Sequence, residues 1–165
     1  MIRLIVLDVD GTMTDGGITY DANGVESKTF NVKDGFAIAS WVRIGRQAAI
    51  ITGRNSPIVA KRAAELGITH FYQGIKDKEA KLREILESEG MSMAEVAAIG
   101  DDLNDFRMMK AAGLAFAPAD ASPYMAEATD IRLSRRGGEG AVAEMVEYLV
   151  KHENLEKEYT EYWKK

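Results

Sequence analysis

The chain has 165 residues, 46% hydrophobic and 28% charged, with a formal net charge of −5 and no cysteine. That composition is ordinary for a globular protein, excludes disulfides and cysteine-ligated metals, and argues against a nucleic-acid partner, which would need a basic face. No apolar run approaches the length of a membrane span, and the apolar N-terminal run has no signal-peptide form, so a cytoplasmic chain with no membrane partner is expected.

A chain of this length suits one domain over residues 1–165, able to bury roughly 70% of its unfolded surface. Leu4-Ile5-Val6-Leu7 is a short apolar run that stops at Asp8-Val9-Asp10-Gly11-Thr12, which predicts a buried strand and a tight turn. A D-x-D alone reads equally as a surface turn or an N-cap. Two β-prone runs, Gly17 to Asp21 and Val25 to Phe30, flank Asn23-Gly24, a hairpin signal. This hairpin, spanning about 13–30, is either a decorative excursion or a flap. Apolar residues at helical spacing follow Asn31-Val32-Lys33-Asp34-Gly35, with Asp34 the predicted N-cap and an end near Gly45.

Gln47 to Ile51 predicts a second strand, ending in Thr52-Gly53-Arg54. Pro57 starts a helix that carries Arg62 and stops at Gly67. Thr69 to Tyr72 predicts a third strand, and Asp77-Lys78 opens a helix to about Glu89. Ser92 and Glu95 have capping-box spacing before a fourth strand, Val96 to Ile99. That strand ends in Gly100-Asp101-Asp102-Leu103-Asn104-Asp105, and the helix after it stops at Gly113. Leu114 to Ala117 and Ile131 to Leu133 predict two more strands, Ser122-Pro123 a helical start between them, and Glu139 to about Lys151 the last helix. Arg135-Arg136-Gly137-Gly138 either binds an anion or turns the chain. The polar tail, about 153–165, carries Tyr159, Tyr162 and Trp163 and is either disordered or docked on a neighbouring subunit.

Strands alternating with helices predict an α/β fold, a doubly wound and mostly parallel sheet. Asp8 and Asp10, Thr52, and Asp101 with Asp102 and Asp105 then stand at strand ends on one edge, with Lys78 in reach. Several carboxylates in one place need a cation, and hard oxygen ligands with room for water and phosphate suit Mg²⁺. An ionised aspartate can attack phosphorus, a second can act as acid and base, and a hydroxyl with an ammonium can hold the transferred oxygens. Asp8 is the expected nucleophile and Asp10 the acid/base.

D-V-D-G-T, I-T-G-R, Lys78 and G-D-D-L-N-D, in that order, resemble the four motifs of the haloacid dehalogenase superfamily of phosphatases. The resemblance implies catalytic roles for Asp8, Asp10, Thr52 and Lys78, the last two as a phosphate-binding pair. It implies Mg²⁺ held by Asp8, by Asp101 and by the backbone carbonyl of Asp10, with Asp102 and Asp105 supporting. The hairpin, F-N-V-K-D-G, Y-Q-G and R-G-G-E-G-A-V also resemble the capless subgroup that hydrolyses 3-deoxy-D-manno-octulosonate 8-phosphate (KDO 8-phosphate). Between Asp8 and Thr52 there is room only for a hairpin and one helix, in keeping with no cap domain.

This narrower resemblance implies a phosphorylated sugar acid as substrate, contacted by Asp10, Asn31, Val32, Lys33, Asp34, Gly35, Arg54, Arg62 and Lys78. It also implies a homotetramer in which hairpin and tail help close a neighbour's site. Guanidinium groups at Arg54 and Arg62 suit a carboxylate and a phosphate; Arg62 alone also reads as a solvated helix face. Ala39 stands where some members carry arginine, which leaves a nine-carbon sugar acid 9-phosphate as the alternative substrate; Thr12 stands where valine is more usual, a replacement common elsewhere in the superfamily. A receiver module would place the acceptor on the third strand and the acidic pair early, the reverse of the order here. A silent oligomerisation module predicts decay of Asp8, Asp10, Lys78 or Asp101, and all four are present.

Overall fold

Every residue of Leu4–Leu7 (β1) is buried, and alternate side chains enter two different cores. Ile5 and Leu7 join one apolar cluster, and Leu4 and Val6 join the other. This is the two-sided burial that a central parallel strand requires. In the computed structural model, which describes residues 1–165, β1 pairs in parallel with Gln47–Ile51 (β4) on one side and Val96–Ile99 (β6) on the other.

The hairpin between β1 and β4 is smaller than its sequence predicts. Only Thr19–Tyr20 (β2) and Glu26–Ser27 (β3) pair, antiparallel, across the Asp21–Gly24 turn. Helix Val32–Arg43 (α1) then leads into β4. Pro57–Glu65 (α2), His70–Tyr72 (β5) and Lys78–Glu89 (α3) follow. A 3-10 turn at Met93–Glu95, closed by the predicted Ser92–Glu95 capping box, precedes β6. After β6 come Phe106–Ala111 (α4), Leu114–Ala117 (β7), Ile131–Arg132 (β8) and Ala141–His152 (α5).

The sheet order is β5-β4-β1-β6-β7-β8, and all five pairings are parallel. Residues of α1, α2 and α5 share a cluster with one sheet face; those of α3, α4 and the 3-10 turn Pro123–Ala128 share the other. The chain winds outward from β1 to β5, returns beside β1 as β6, and winds out the other way. The carboxyl ends of β1 and β6 therefore meet at a topological switch point, where open α/β sheets bind ligands.

One further expectation changes and two open readings are narrowed. The N-cap of α1 is Asn31, not Asp34: its side chain accepts from the Lys33 and Asp34 N–H groups at 2.8 and 3.3 Å. Asp34 sits one turn inside and is 2% exposed; its Oδ1 accepts the Ala143 N–H of α5 at 2.9 Å, so it caps a distant helix instead of its own. The tail is ordered and packs on its own chain. It forms Glu156–Glu161 (α6) and a last 3-10 turn, with Trp163 against Phe36 at 4.6 Å and the Arg43 guanidinium over the Tyr162 and Trp163 rings. The Arg135–Gly138 segment turns the chain; the Gly137 N–H donates to Asp120 and the Gly138 N–H to the Thr12 carbonyl.

Burial pushes the Asp34 carboxyl up to about 6 from its ordinary 3.8, against the Ala143 N–H and the charge of Arg135. An acid held above its unfolded value favours the folded state fully below about pH 4, and that contribution is lost as pH rises through 6. Asp34→Asn keeps an acceptor for Ala143 without the charge. The variant is expected to exceed the parent in stability at pH 7 by about 1–3 kcal/mol and to match it near pH 4. Urea unfolding at the two pH values checks this; a gap that does not widen with pH contradicts it.

Candidate active site

Asp8 follows the last residue of β1 and keeps the sheet pattern, its N–H donating to the Ile99 carbonyl of β6 at 3.1 Å. Its carboxylate is thereby set at the junction of the two strands. Val9 then accepts the N–H groups of Thr12, Met13 and Thr14, a single helical turn that brings Asp10 round. Gly11 makes this turn possible. Its φ is +90°, and a Cβ there would lie 2.0 Å from an Asp101 carboxylate oxygen. Gly137 closes the loop from the far side, where a Cβ would lie 1.9 Å from the Gly11 carbonyl oxygen. Only glycine lets these backbones approach so closely.

Lys78 is the first residue of α3, behind an Asp77 cap. Its buried Nζ donates to Asp8 Oδ1 at 2.6 Å and to Asp105 Oδ1 at 2.5 Å. Burial alone would lower the ammonium's pKa; the Asp8 and Asp105 carboxylates overcome it and hold the pKa above the usual lysine value. Asp105 also accepts the Asp101 N–H at 3.1 Å. The Thr12 hydroxyl reaches Asp101 Oδ1 at 3.5 Å.

Asp8, Asp101 and Asp105 each offer an oxygen, and the three oxygens lie within 4.8 Å of one another. Burial raises all three carboxyls from 3.8 to about 6, Asp8 and Asp105 against the pull of Lys78, and neighbouring carboxylates add to the rise. One ammonium cannot balance three ionised carboxylates. The donor set fits a hard divalent cation, which would supply the missing charge. Asp105 is already committed to Lys78 and the Asp101 amide, so Asp8 and Asp101 are the carboxylates free to hold an ion.

Thr52 lies at the end of β4, buried, with its N–H on the Tyr72 carbonyl at 3.0 Å. Asp102 is exposed and caps the 3-10 turn Leu103–Asp105 through its own side chain. Asp10 is outside the carboxylate trio, and its side chain turns to the hairpin instead, accepting from Lys28 Nζ at 2.5 Å. Lys28 also pairs with Glu26 at 3.0 Å, and Glu26 pairs with Arg54 at 3.0 Å. Arg54 is thus joined to the site through the hairpin.

The remaining predicted contacts form a separate group. Asn31 is occupied as a helix cap, Val32 and Lys33 are exposed, Asp34 is buried, and Gly35 lies against the Arg62 guanidinium. Arg62 stacks 5.7 Å from the Phe30 ring centre and reaches Glu65. No hydrogen bond links this group to the Asp8–Lys78 cluster.

Sequence reasoning missed Lys28 and Glu26. A signal was present: Glu-x-Lys in a predicted strand puts both charges on one face, directly after the D-x-D loop.

A family model described as haloacid dehalogenase-like hydrolase matches residues 71–146. The chain is 40% identical over 149 residues to a 3-deoxy-D-manno-octulosonate 8-phosphate phosphatase of Haemophilus influenzae, covering 90% of this chain and 83% of that protein. It is 43% identical over 149 residues to the enzyme of that name from Escherichia coli K12, covering 90% and 79%. Among solved structures it is similar to the Moraxella catarrhalis phosphatase of the same name, in complex with magnesium, phosphate and KDO. The TM-score is 0.90 at 38% identity, over 93% of this chain and 88% of that one. The Yersinia pestis phosphatase superposes with TM-score 0.90 at 40% identity, over 93% and 83%.

With Asp8 and Asp101 as ligands, Mg²⁺ at a hundredfold excess over its dissociation constant is expected to add about 2.7 kcal/mol of stability. Thermal unfolding in Mg²⁺ against EDTA is expected to show a rise of about 5–10 °C. Asp101→Asn is expected to lose most of that rise while melting higher than the parent in EDTA, because it removes a repelling charge. An unchanged Mg²⁺ response in the variant rules Asp101 out as a ligand.

Proposed function

The chain belongs to the 3-deoxy-D-manno-octulosonate 8-phosphate phosphatase family of haloacid dehalogenase-like hydrolases, and we propose that it hydrolyses KDO 8-phosphate to KDO and phosphate with Mg²⁺. The observation that carries the reading is the buried Asp8 carboxylate at the β1–β6 switch point, bonded to Lys78 and adjoining Asp101.

Asp8 attacks phosphorus through a carboxylate oxygen, and the ester P–O bond breaks. The leaving alkoxide of the sugar acid takes a proton from Asp10. Asp10, now a carboxylate, takes a proton from water as that water attacks phosphorus; the bond to Asp8 breaks and phosphate leaves. Lys78 and Thr52 hold the equatorial oxygens while charge moves. A magnesium ion on Asp8, Asp101 and the Asp10 carbonyl would neutralise charge on the phosphoryl group. Asp105 positions Lys78. Arg54 suits the sugar acid's carboxylate, with Arg62 and the Asn31–Gly35 segment as further contacts.

The same proposal includes a homotetramer and a cytoplasmic setting. Exposed apolar residues on the hairpin (Ile18, Tyr20, Val25) and at the start of α1 (Val32, Phe36) support assembly, since such residues gather where a surface is to be covered. No helix is long and apolar enough to cross a membrane.

Phosphate release from KDO 8-phosphate is expected with Mg²⁺ and not with EDTA. Asp8→Asn is expected to lose on the order of 10⁴-fold or more in kcat. Turnover of a nine-carbon sugar acid 9-phosphate, with none of KDO 8-phosphate, would transfer the assignment to the alternative substrate. Sedimentation at micromolar concentration is expected to give four times the 18.2 kDa chain mass; a monomer contradicts the assembly.

A further inference from the structure

Lys28 is an unusual residue for its place. Its hairpin has two-residue strands, and Ile18, Tyr20 and Val25 on it face solvent. Yet the Lys28 side chain is only 1% exposed. It runs back beneath the hairpin to Asp10, eighteen positions earlier in the chain. Glu26 of β3, two residues before it, pairs with the same ammonium and accepts from Arg54. Asp10, Lys28, Glu26 and Arg54 thus form an unbroken chain of alternating charge, from the acid/base to the proposed sugar-acid contact.

Asp10 has two carboxylate oxygens, and a general acid must present one of them to the ester oxygen. Lys28 takes Oδ1 at 2.5 Å, and Oδ2 has no partner in the chain. With Oδ1 held by the ammonium, Oδ2 is the oxygen left free to face the ester oxygen. The carboxylate, 22% exposed, would otherwise be free to rotate. Burial alone would weaken the ammonium's hold on its charge; Asp10 and Glu26 reverse that and keep it a donor.

We propose that Lys28 is a positioning residue for Asp10, fixing which carboxylate oxygen faces the leaving group, and that Glu26 holds Lys28 in place. The hairpin thereby adds part of the catalytic geometry from within the same chain. This inference rests on the phosphatase reaction proposed above.

The test exploits the leaving group. An alkoxide needs its proton as the ester bond breaks, whereas 4-nitrophenolate leaves without one. The quantity kcat/KM reports that first bond cleavage, so KDO 8-phosphate and 4-nitrophenyl phosphate separate a defect in Asp10 from a general one. Lys28→Met is expected to lose about 10- to 100-fold in kcat/KM on KDO 8-phosphate and less than about 3-fold on 4-nitrophenyl phosphate. Asp10→Asn should show the same split more strongly, and Lys28→Arg, which keeps a cationic donor, should recover much of the loss. Glu26→Gln, a milder change for the fold, should give a smaller split in the same direction. Equal losses on both esters, or none on either, overturn the role of Lys28 and leave the phosphatase reading standing. A parent chain that hydrolyses neither ester, nor the nine-carbon 9-phosphate, overturns the phosphatase reading, and the role of Lys28 with it.

Discussion

The ammonium of Lys78, bonded at once to Asp8 and Asp105, is the interaction on which the interior of the site depends. All three groups are buried, and burying charge is expensive unless each charge is paired. Such a cluster adds little net stability. It does fix position: without the ammonium, two carboxylates would face each other in a dry space, and one would have to take up a proton or swing away. The lysine therefore sets where the Asp8 oxygens lie. It reaches that place because Asp77 caps α3 and makes Lys78 the first helical residue, pointed at the strand ends.

The sheet explains why these residues meet. Asp8 and Asp101 stand almost a hundred positions apart, yet β1 and β6 are hydrogen-bonded neighbours running the same way. Their carboxyl ends share an edge, and the reversal of winding between them leaves that edge uncovered by a crossover. Repulsion follows from this convergence and is relieved in part by Lys78; a divalent cation on Asp8 and Asp101 would supply the rest. Around this rigid base the hairpin is held by charge more than by apolar packing, through Lys28 on one side and Arg54 on the other.

What could be read in advance followed from local causes. Four strands fall where their apolar runs lie, Leu4–Leu7, Gln47–Ile51, Val96–Ile99 and Leu114–Ala117, because strands covered on both faces are written as continuous apolar runs. The Ser92–Glu95 box and the Asp77 cap were legible for the same reason. Asp34 was not: it has the look of a helix start, but Asn31 stands three residues earlier, and the true partner of Asp34 is the Ala143 amide, supplied by α5. Nor was the tail. Its Trp163 and Tyr162 found Phe36 and Arg43, a pairing that depends on how α6 folds back. Lys28 was hidden by its setting, since a lysine on a small hairpin is usually solvated. Asp8, Lys78 and Asp105 could be placed on one edge from the strand pattern, but the bonds among them belong to the tertiary structure.

The contact between Gly137 and Gly11 has a consequence in time. The loop that carries Asp10 is closed by backbone from Gly137, far along the sequence, where no Cβ stands in the way. β1, β4 and β5 lie in the first part of the sequence and can pair while the carboxylate edge is still open on one side. Non-local closures of this kind are the slow part of folding, because the intervening chain must be ordered first. The reactive loop thus acquires its shape after the strands that support it have paired. A chain in which the Gly137 contact has not yet formed would hold much of its sheet without a finished place for phosphate, so the loop's reactive shape depends on a contact made far from it in sequence.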